Sequence, residues 1–306
     1  MLIAMIGVGL IVSACNSNDE KKGSKTLQSG YKIEHVHGLA MTKNDSIYMA
    51  THEGLMKTVD QGEKWSMVGD DFDLMGFHIQ SDGTMLTSGH PGKSSNLPDP
   101  LGLLESNDNG NSWAEKALVG EVDFHLLTSN DSNPNLLYGV IQMESGNYKA
   151  GLYKSTDKGK SWDKLNTTGL PDEWHDIYAL LSLPNNEDIM LAGTNEGVFR
   201  SEDGGVTWKI VDNKRFITAL SVIPGSSDLI SYSITDGKTG LMISKDNGAT
   251  WEKVGLDLGE DAVAYLAIHP EQAEKIVALT FENNLLFSTD GGENWETLME
   301  KGTLKN

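Results

Sequence analysis

Ser201-Glu202-Asp203-Gly204-Gly205-Val206-Thr207-Trp208 is one of six copies of a single pattern. Its spacing returns at residues 106–113 (SNDNGNSW), 155–162 (STDKGKSW), 244–251 (SKDNGATW) and 288–295 (STDGGENW). Residues 58–65 (TVDQGEKW) differ only by Thr for Ser. The pattern is S/T-x-D-x-G-x-x-W. Its tryptophans lie 48, 49, 46, 43 and 44 residues apart, a period that signals a propeller or a solenoid.

The residue types imply a folded corner. An Asp can accept backbone N–H bonds in an Asx-type turn. Gly205 can take the positive φ such a turn needs. The Ser or Thr hydroxyl ties the turn from its other side, and the Trp supplies a large apolar ring between sheets. On this reading Asp60, Asp108, Asp157, Asp203, Asp246 and Asp290 are structural rather than catalytic.

These residues resemble the Asp-box (BNR) repeat of sialidases, sortilin-type receptors and photosystem II assembly-factor-like propellers. The resemblance implies a propeller whose boxes lie on the rim, away from the central pocket.

Each repeat has the same grammar. In residues 168–213 an apolar run (IYALLSL) precedes a PNNED turn, a second run (IMLAGT), a short Asn195-Glu196-Gly197 corner, a third strand ending in the box, and a fourth starting at Trp208. Short strands at even spacing and no helical period predict an all-β, six-bladed β-propeller of four-stranded antiparallel blades. The blades fall near residues 31–74, 75–119, 120–167, 168–213, 214–256 and 257–300, leaving 301–306 as a tail. This phase gives every blade its own four strands, with no strand exchange to close the ring.

Residues 1–15 (MLIAMIGVGLIVSAC) form an apolar run of signal-peptide length, too short for a stable span. The run resembles a bacterial lipoprotein signal with Cys15 as the lipidated residue, although no Lys or Arg precedes it. It implies an extracytoplasmic protein held to the cell membrane. Cys15 is the only cysteine, so internal disulfides are excluded. Residues 16–30 (NSNDEKKGSKTLQSG) read as a flexible tether. The net charge of −20, from 44 acidic and 24 basic residues, opposes nucleic-acid binding. A monomer is expected.

The repeat serves as a ruler for the histidines. His35, His37, His78, His125 and His175 fall on or just before the first strands of blades 1–4. His52 and His90 fall at the second-to-third-strand corner of blades 1 and 2, aligned with Asn195. All seven map near one face, and His269 maps to the opposite end. Glu34, Glu53, Asp73, Glu121, Asp123, Glu173, Asp176 and Asp261 share that face, with Lys214 and Arg215 entering from blade 5. Histidines with carboxylates suit a transition metal, Cu or Zn, and equally an acid–base pocket. Separate polar caps on strand ends remain the alternative. Two corner insertions, residues 89–102 and 143–151, belong to the same face.

Two function classes stay open. One is a binding module that takes a metal ion, peptide, protein or carbohydrate on the His-rich face. The other is a glycoside hydrolase, implied by the Asp-box resemblance, with Asp123 and Asp176 as the candidate pair. Sialidase activity is not expected, because that resemblance implies three substrate-holding arginines and the chain has only Arg200 and Arg215. Six of seven tryptophans belong to boxes, leaving Trp174 as a sugar platform or a core plug.

Overall fold

A computed structural model describes residues 24–236 and 238–305. The lipoprotein-like segment with Cys15, and residues 16–23 of the expected tether, lie outside the described residues.

Blade 1 holds β2 (Val36–Met41), β3 (Ile47–Thr51), β4 (Gly54–Thr58) and β5 (Ser66–Val68), with β1 (Lys25–Thr26) on its outer edge. Blade 2 holds β6 (Asp73–Ile79), β7 (Met85–His90), β8 (Leu103–Ser106) and β9 (Ala114–Ala117). Blade 3 holds β10 (Leu126–Asn130), β11 (Asn133–Ile141), β12 (Gly151–Ser155) and β13 (Asp163–Lys164). Blade 4 holds β14 (Ile177–Ser182), β15 (Met190–Thr194), β16 (Val198–Ser201) and β17 (Trp208–Asp212). Blade 5 holds β18 (Phe216–Val222), β19 (Leu229–Thr235), β20 (Lys238–Ser244) and β21 (Glu252–Gly255). Blade 6 holds β22 (Val263–His269), β23 (Gln272–Thr280), β24 (Leu285–Ser288), β25 (Glu296–Glu300) and β26 (Thr303–Leu304). All pairings between these strands are antiparallel, and the first long strand of each blade packs beside that of the next in a closed ring.

The second strands show why the chain folds this way. β3 (IYMAT) and β15 (MLAGT) are buried along their whole length. A strand covered on both faces needs a continuous apolar run rather than alternation. The fourth strands, such as β9 (AEKA) and β21 (EKVG), turn charge outward at the rim.

The box forms the same corner six times. The Ser or Thr hydroxyl oxygen accepts the Gly N–H at 2.8–3.0 Å. The Asp carboxylate accepts the N–H four residues on at 2.7–2.9 Å. Gly205 has φ +94°, as expected, and Gly204 before it is also left-handed at +67°. Gln61, Asn109, Lys158 and Asn247 take that preceding position in other boxes. Two consecutive left-handed residues turn the chain sharply enough to aim its amides at Asp. The hydrogen bonds, those from Thr207 first, hold the Asp203 carboxyl down to about 2.

Each box tryptophan joins a different inter-blade core. Trp65 packs with Leu285 and Met56 between blades 6 and 1, and Trp208 with Tyr138 and Met190 between blades 3 and 4. Trp113, Trp162, Trp251 and Trp295 occupy the other four seams. The ring is thus held by six apolar seams, each with an indole in it.

Three expectations about the chain ends need correction. Residues 24–30 are not tether: Lys25 and Thr26 pair with Met67 and Ser66, and Leu27 is buried. Thr303 and Leu304 are not a free tail, because they add β26 to blade 6. Blades 1 and 6 therefore have five strands, not four. Among the described residues no strand is exchanged between the first and last blades; the ends are joined across their seam by backbone hydrogen bonds and a single Lys32–Thr303 bridge. Ile33 N donates to Gly302 O at 2.7 Å, and Leu304 N to Tyr31 O at 3.0 Å. Leu27, Ile33 and Leu304 all enter the seam between blades 6 and 1. Each segment is held both by its own blade, through the β1–β5 and β25–β26 pairings, and by the blade across the seam, and the cross-seam contacts have no local sequence pattern.

Candidate functional site

Five of the six innermost strands carry a β-bulge near the same end. The register shifts occur at Val36/Gly38, Leu74/Phe77, Ile177/Ala179, Ile217/Ala219 and Val263/Tyr265. A bulge leaves one residue out of the ladder and re-aims its side chain. The bulged residues are His37, Met75 with Gly76, Tyr178, Thr218 and Ala264. His37, Met75, Tyr178, Thr218 and Ala264 line one cavity of about 480 Å³ at the channel mouth. Its wall also includes His35, His125 and His175. Gly38 follows the bulge because a Cβ there would stand 2.7 Å from Phe77 Cβ on the next blade.

Blade 1 supplies three histidines. His52 sits on the corner after β3, where Thr51 Oγ1 donates to Gly54 O at 2.8 Å and accepts Glu53 N–H at 3.1 Å. Thr194 makes the same bonds at the Asn195 corner, so the alignment of His52 with Asn195 holds in the structure. His37 Nε2 and His52 Nε2 lie 3.1 Å apart. The His35 ring lies 5.1 Å from that of His52 and 6.4 Å from that of His37. Asp73, the first residue of β6, places Oδ1 2.6 Å from His52 Nδ1. His37, His52 and Asp73 can each offer a donor atom within 4.8 Å of the others.

A second group adjoins the first. Asp73 pairs with His90 across the β6–β7 ladder. His90 Nδ1 lies 2.7 Å from Asp99 Oδ1, on the 89–102 insertion. Asp123 Oδ2 lies 3.6 Å from His90 Nε2 and 3.5 Å from His125 Nδ1. Asp123 Oδ1 and His125 Nδ1 are buried without a hydrogen-bond partner, as is Glu53 Oε2 beside His52. Such atoms are costly unless something satisfies them.

Titration separates these groups. Burial, reinforced by the charge of His52, lowers His37 to about 4. Burial also depresses His90, but the Asp99 hydrogen bond and the charges of Asp123, Asp99 and Asp73 outweigh it and raise the group. Burial raises the Asp123 carboxyl against the pull of His125 and His90. His37 is thus kept neutral, the form that binds a metal.

The seven histidines do not all converge. His78 pairs with Leu86, one step from the far end of the ladder, and its Nε2 lies 2.7 Å from Ser129 Oγ. It lies deeper in the channel, away from the mouth. The expectation failed there because a position counted along the sequence does not fix depth in a strand that carries a two-residue bulge. His175 lines the mouth from the 3-10 turn Trp174–Asp176, but it is exposed and only 3.8 Å from Glu173 and 3.9 Å from Asp176. Trp174, half-buried, packs against the core between blades 3 and 4. His269 sits at the opposite end, buried, with Nδ1 accepting the N–H groups of Glu271 and Gln272. Arg215 is paired with Asp212 and Arg200 with Glu202, and neither lines the cavity at the channel mouth. Tyr178, Thr218 and the exposed Phe281 at the mouth were missed, since a bulge has no sequence signature.

The family model described as "Sortilin, neurotensin receptor 3" matches residues 196–304. The xyloglucanase Xgh74A of Acetivibrio thermocellus is 26% identical over 254 residues, covering 67% of this chain and 30% of that protein. The VPS10 domain-containing receptor SorCS2 of Homo sapiens is 36% identical over 75 residues, 24% of this chain and 6% of that receptor. The solved GH74 enzyme of Niastella koreensis superposes with a TM-score of 0.63 at 16% identity, covering 90% of this chain and 46% of that one. At that identity the likeness is one of fold. The chain spans less than half the length of these relatives. It is an Asp-box-type propeller that resembles glycosyl-hydrolase and sortilin-type propellers.

Proposed function

We propose that the protein is an exported propeller, anchored through a lipidated Cys15, that binds a divalent transition-metal ion, Zn(II) or Cu(II), at its channel mouth. One observation carries the reading: His37, His52 and Asp73, from two blades, bring donor atoms within 4.8 Å of one another. Imidazole and carboxylate are the donors those metals take. The depressed His37 supports it, because the ring is already neutral near neutral pH and need lose no net proton to bind a metal. An outward location fits the receptor likeness and the lipoprotein-like leader. The test is calorimetric titration of protein produced from residue 24 onward with Zn(II) and Cu(II). Saturable binding at one equivalent, lost in His37→Ala/His52→Ala, is expected; absence of binding in the wild type would sink the reading.

The xyloglucanase likeness favours a second reading, hydrolysis of a β-glucan-type glycoside. Asp123 suits the general-acid role, since burial raises its carboxyl beside the mouth. Asp176 would be its partner. Turnover of xyloglucan oligosaccharides that disappears in Asp123→Asn and Asp176→Asn supports this reading, and an inert wild type removes it.

A further inference from the structure

Asp73 and His52 meet in a way that separates metal ligand from ligand support. The carboxylate lies 2.6 Å from His52 Nδ1, so that nitrogen carries the proton and donates to Asp73. The lone pair of His52 is then on Nε2, which faces His37 Nε2 at 3.1 Å. In the metal-free protein, with both rings neutral, His37 Nε2–H donates to it, and on metal binding that proton moves to His37 Nδ1. A carboxylate that fixes the tautomer of a histidine in this manner is characteristic of the outer shell of a metal site.

Two nitrogens bound to one tetrahedral zinc at roughly 2.0–2.1 Å lie about 3.3 Å apart, and their ring centres about 5 Å apart. The His37–His52 pair already has this geometry, with ring centres 4.5 Å apart. Among the surrounding rings His35 continues it, at 5.1 Å from His52 and nearly perpendicular. The bulge at His37 turns its side chain to the mouth that His35, just before the strand, also lines. The His35 segment is held by ring closure: Asn283 Nδ2 donates to Glu34 O at 2.8 Å, and Ile33 N donates to Gly302 O. His35 lies outside the His37–His52–Asp73 group, so joining the pair requires its exposed imidazole to change rotamer.

From this geometry we infer that His35, His37 and His52 form a three-imidazole centre for Zn(II) or Cu(II), with Asp73 as the positioning residue behind His52 rather than a ligand. Three protein nitrogens leave a fourth position open. His35 and His37 both line the 480 Å³ mouth, so that position faces it. The centre therefore accepts an exogenous monodentate donor, such as water or a small anion. This inference rests on the metal-binding reading above, but assigns the ligands differently from proximity alone.

The test uses wild-type protein first. Pulsed EPR of the Cu(II) form should report three equatorial imidazoles, and the Co(II) form should show a tetrahedral-type visible spectrum that changes on adding azide. His35→Ala should reduce the count to two and weaken Zn(II) binding at least ~100-fold. Asp73→Ala should weaken binding only ~10–100-fold, the range seen for outer-shell partners, while keeping three imidazoles. A wild-type count of two, with His35→Ala silent and Asp73→Ala as damaging as His37→Ala, would overturn the assignment while leaving metal binding intact. A wild type that binds no metal would fail the earlier reading instead. A Co(II) spectrum unaffected by azide would overturn the open position.

Discussion

His52 Nδ1 and Asp73 Oδ1 are 2.6 Å apart although they belong to different blades and lie 21 residues apart in the chain. The bond links the corner after β3 to the start of β6, and it sets which His52 nitrogen is free. Zn(II) should therefore raise the melting temperature by mass action. At a free concentration 100 times Kd the gain is ~2.7 kcal/mol. Thermal melts of wild type and His37→Ala/His52→Ala with and without Zn(II) check this, with no shift expected in the double variant.

Acid should destabilise the fold through two histidines. Burial holds His37 and His78 at about 4, against about 6.5 in the unfolded chain. Between these values the unfolded state binds more protons, so stability rises with pH across the window and is complete above it. His90, being raised, runs the other way: its contribution is present below 6.5 and lost as pH rises through its folded value. Metal-free melts at pH 5 should lie below those at pH 7. His78→Gln should narrow the gap, and an unchanged gap would refute the assignment to His78.

The box hydroxyl should matter for stability alone. Ser201 is buried, and its oxygen accepts the Gly205 N–H at 2.9 Å. Ser201→Ala strands that amide at a cost of about 1–3 kcal/mol. Urea denaturation should register the loss, while Zn(II) affinity of the folded protein stays at the wild-type value.

Ring closure should be a stability determinant of comparable weight. Leu304 is 2% exposed in the seam between blades 6 and 1. Leu304→Ala should cost ~2–4 kcal/mol, as other buried leucine truncations do. Because the same closure holds the Glu34 backbone, the variant should also weaken Zn(II) binding more than Ser201→Ala does; equal affinities would separate closure from the site.

Cys15 carries the anchoring proposal. Cys15→Ala should release the protein from the membrane fraction of expressing cells, as fractionation and immunoblotting would show. Retention on the membrane would remove lipidation from the account.

Much of the site was legible because the box acts as a ruler. It put His52 and Asn195 at equivalent corners, and Thr51 and Thr194 make matching corner bonds there; His90 lies in the 89–102 insertion, whose Asp99 reaches back to it. The ruler failed for His78 and was too coarse for His175. Both errors are of depth and direction, which bulges and a 3-10 turn set after the strands have formed.

The sequence by itself determined the blade count and the corner chemistry. Each box closes with local hydrogen bonds among eight residues, and each supplies one indole for one seam. Only the tertiary structure decided how the ring closes and which histidines meet. Leu27 and Leu304 pack into a seam shared with the blade at the other end of the chain, and His37 acquires its direction from a bulge. Closure and aim depend on contacts across the ring, so no run of neighbouring residues could encode them visibly.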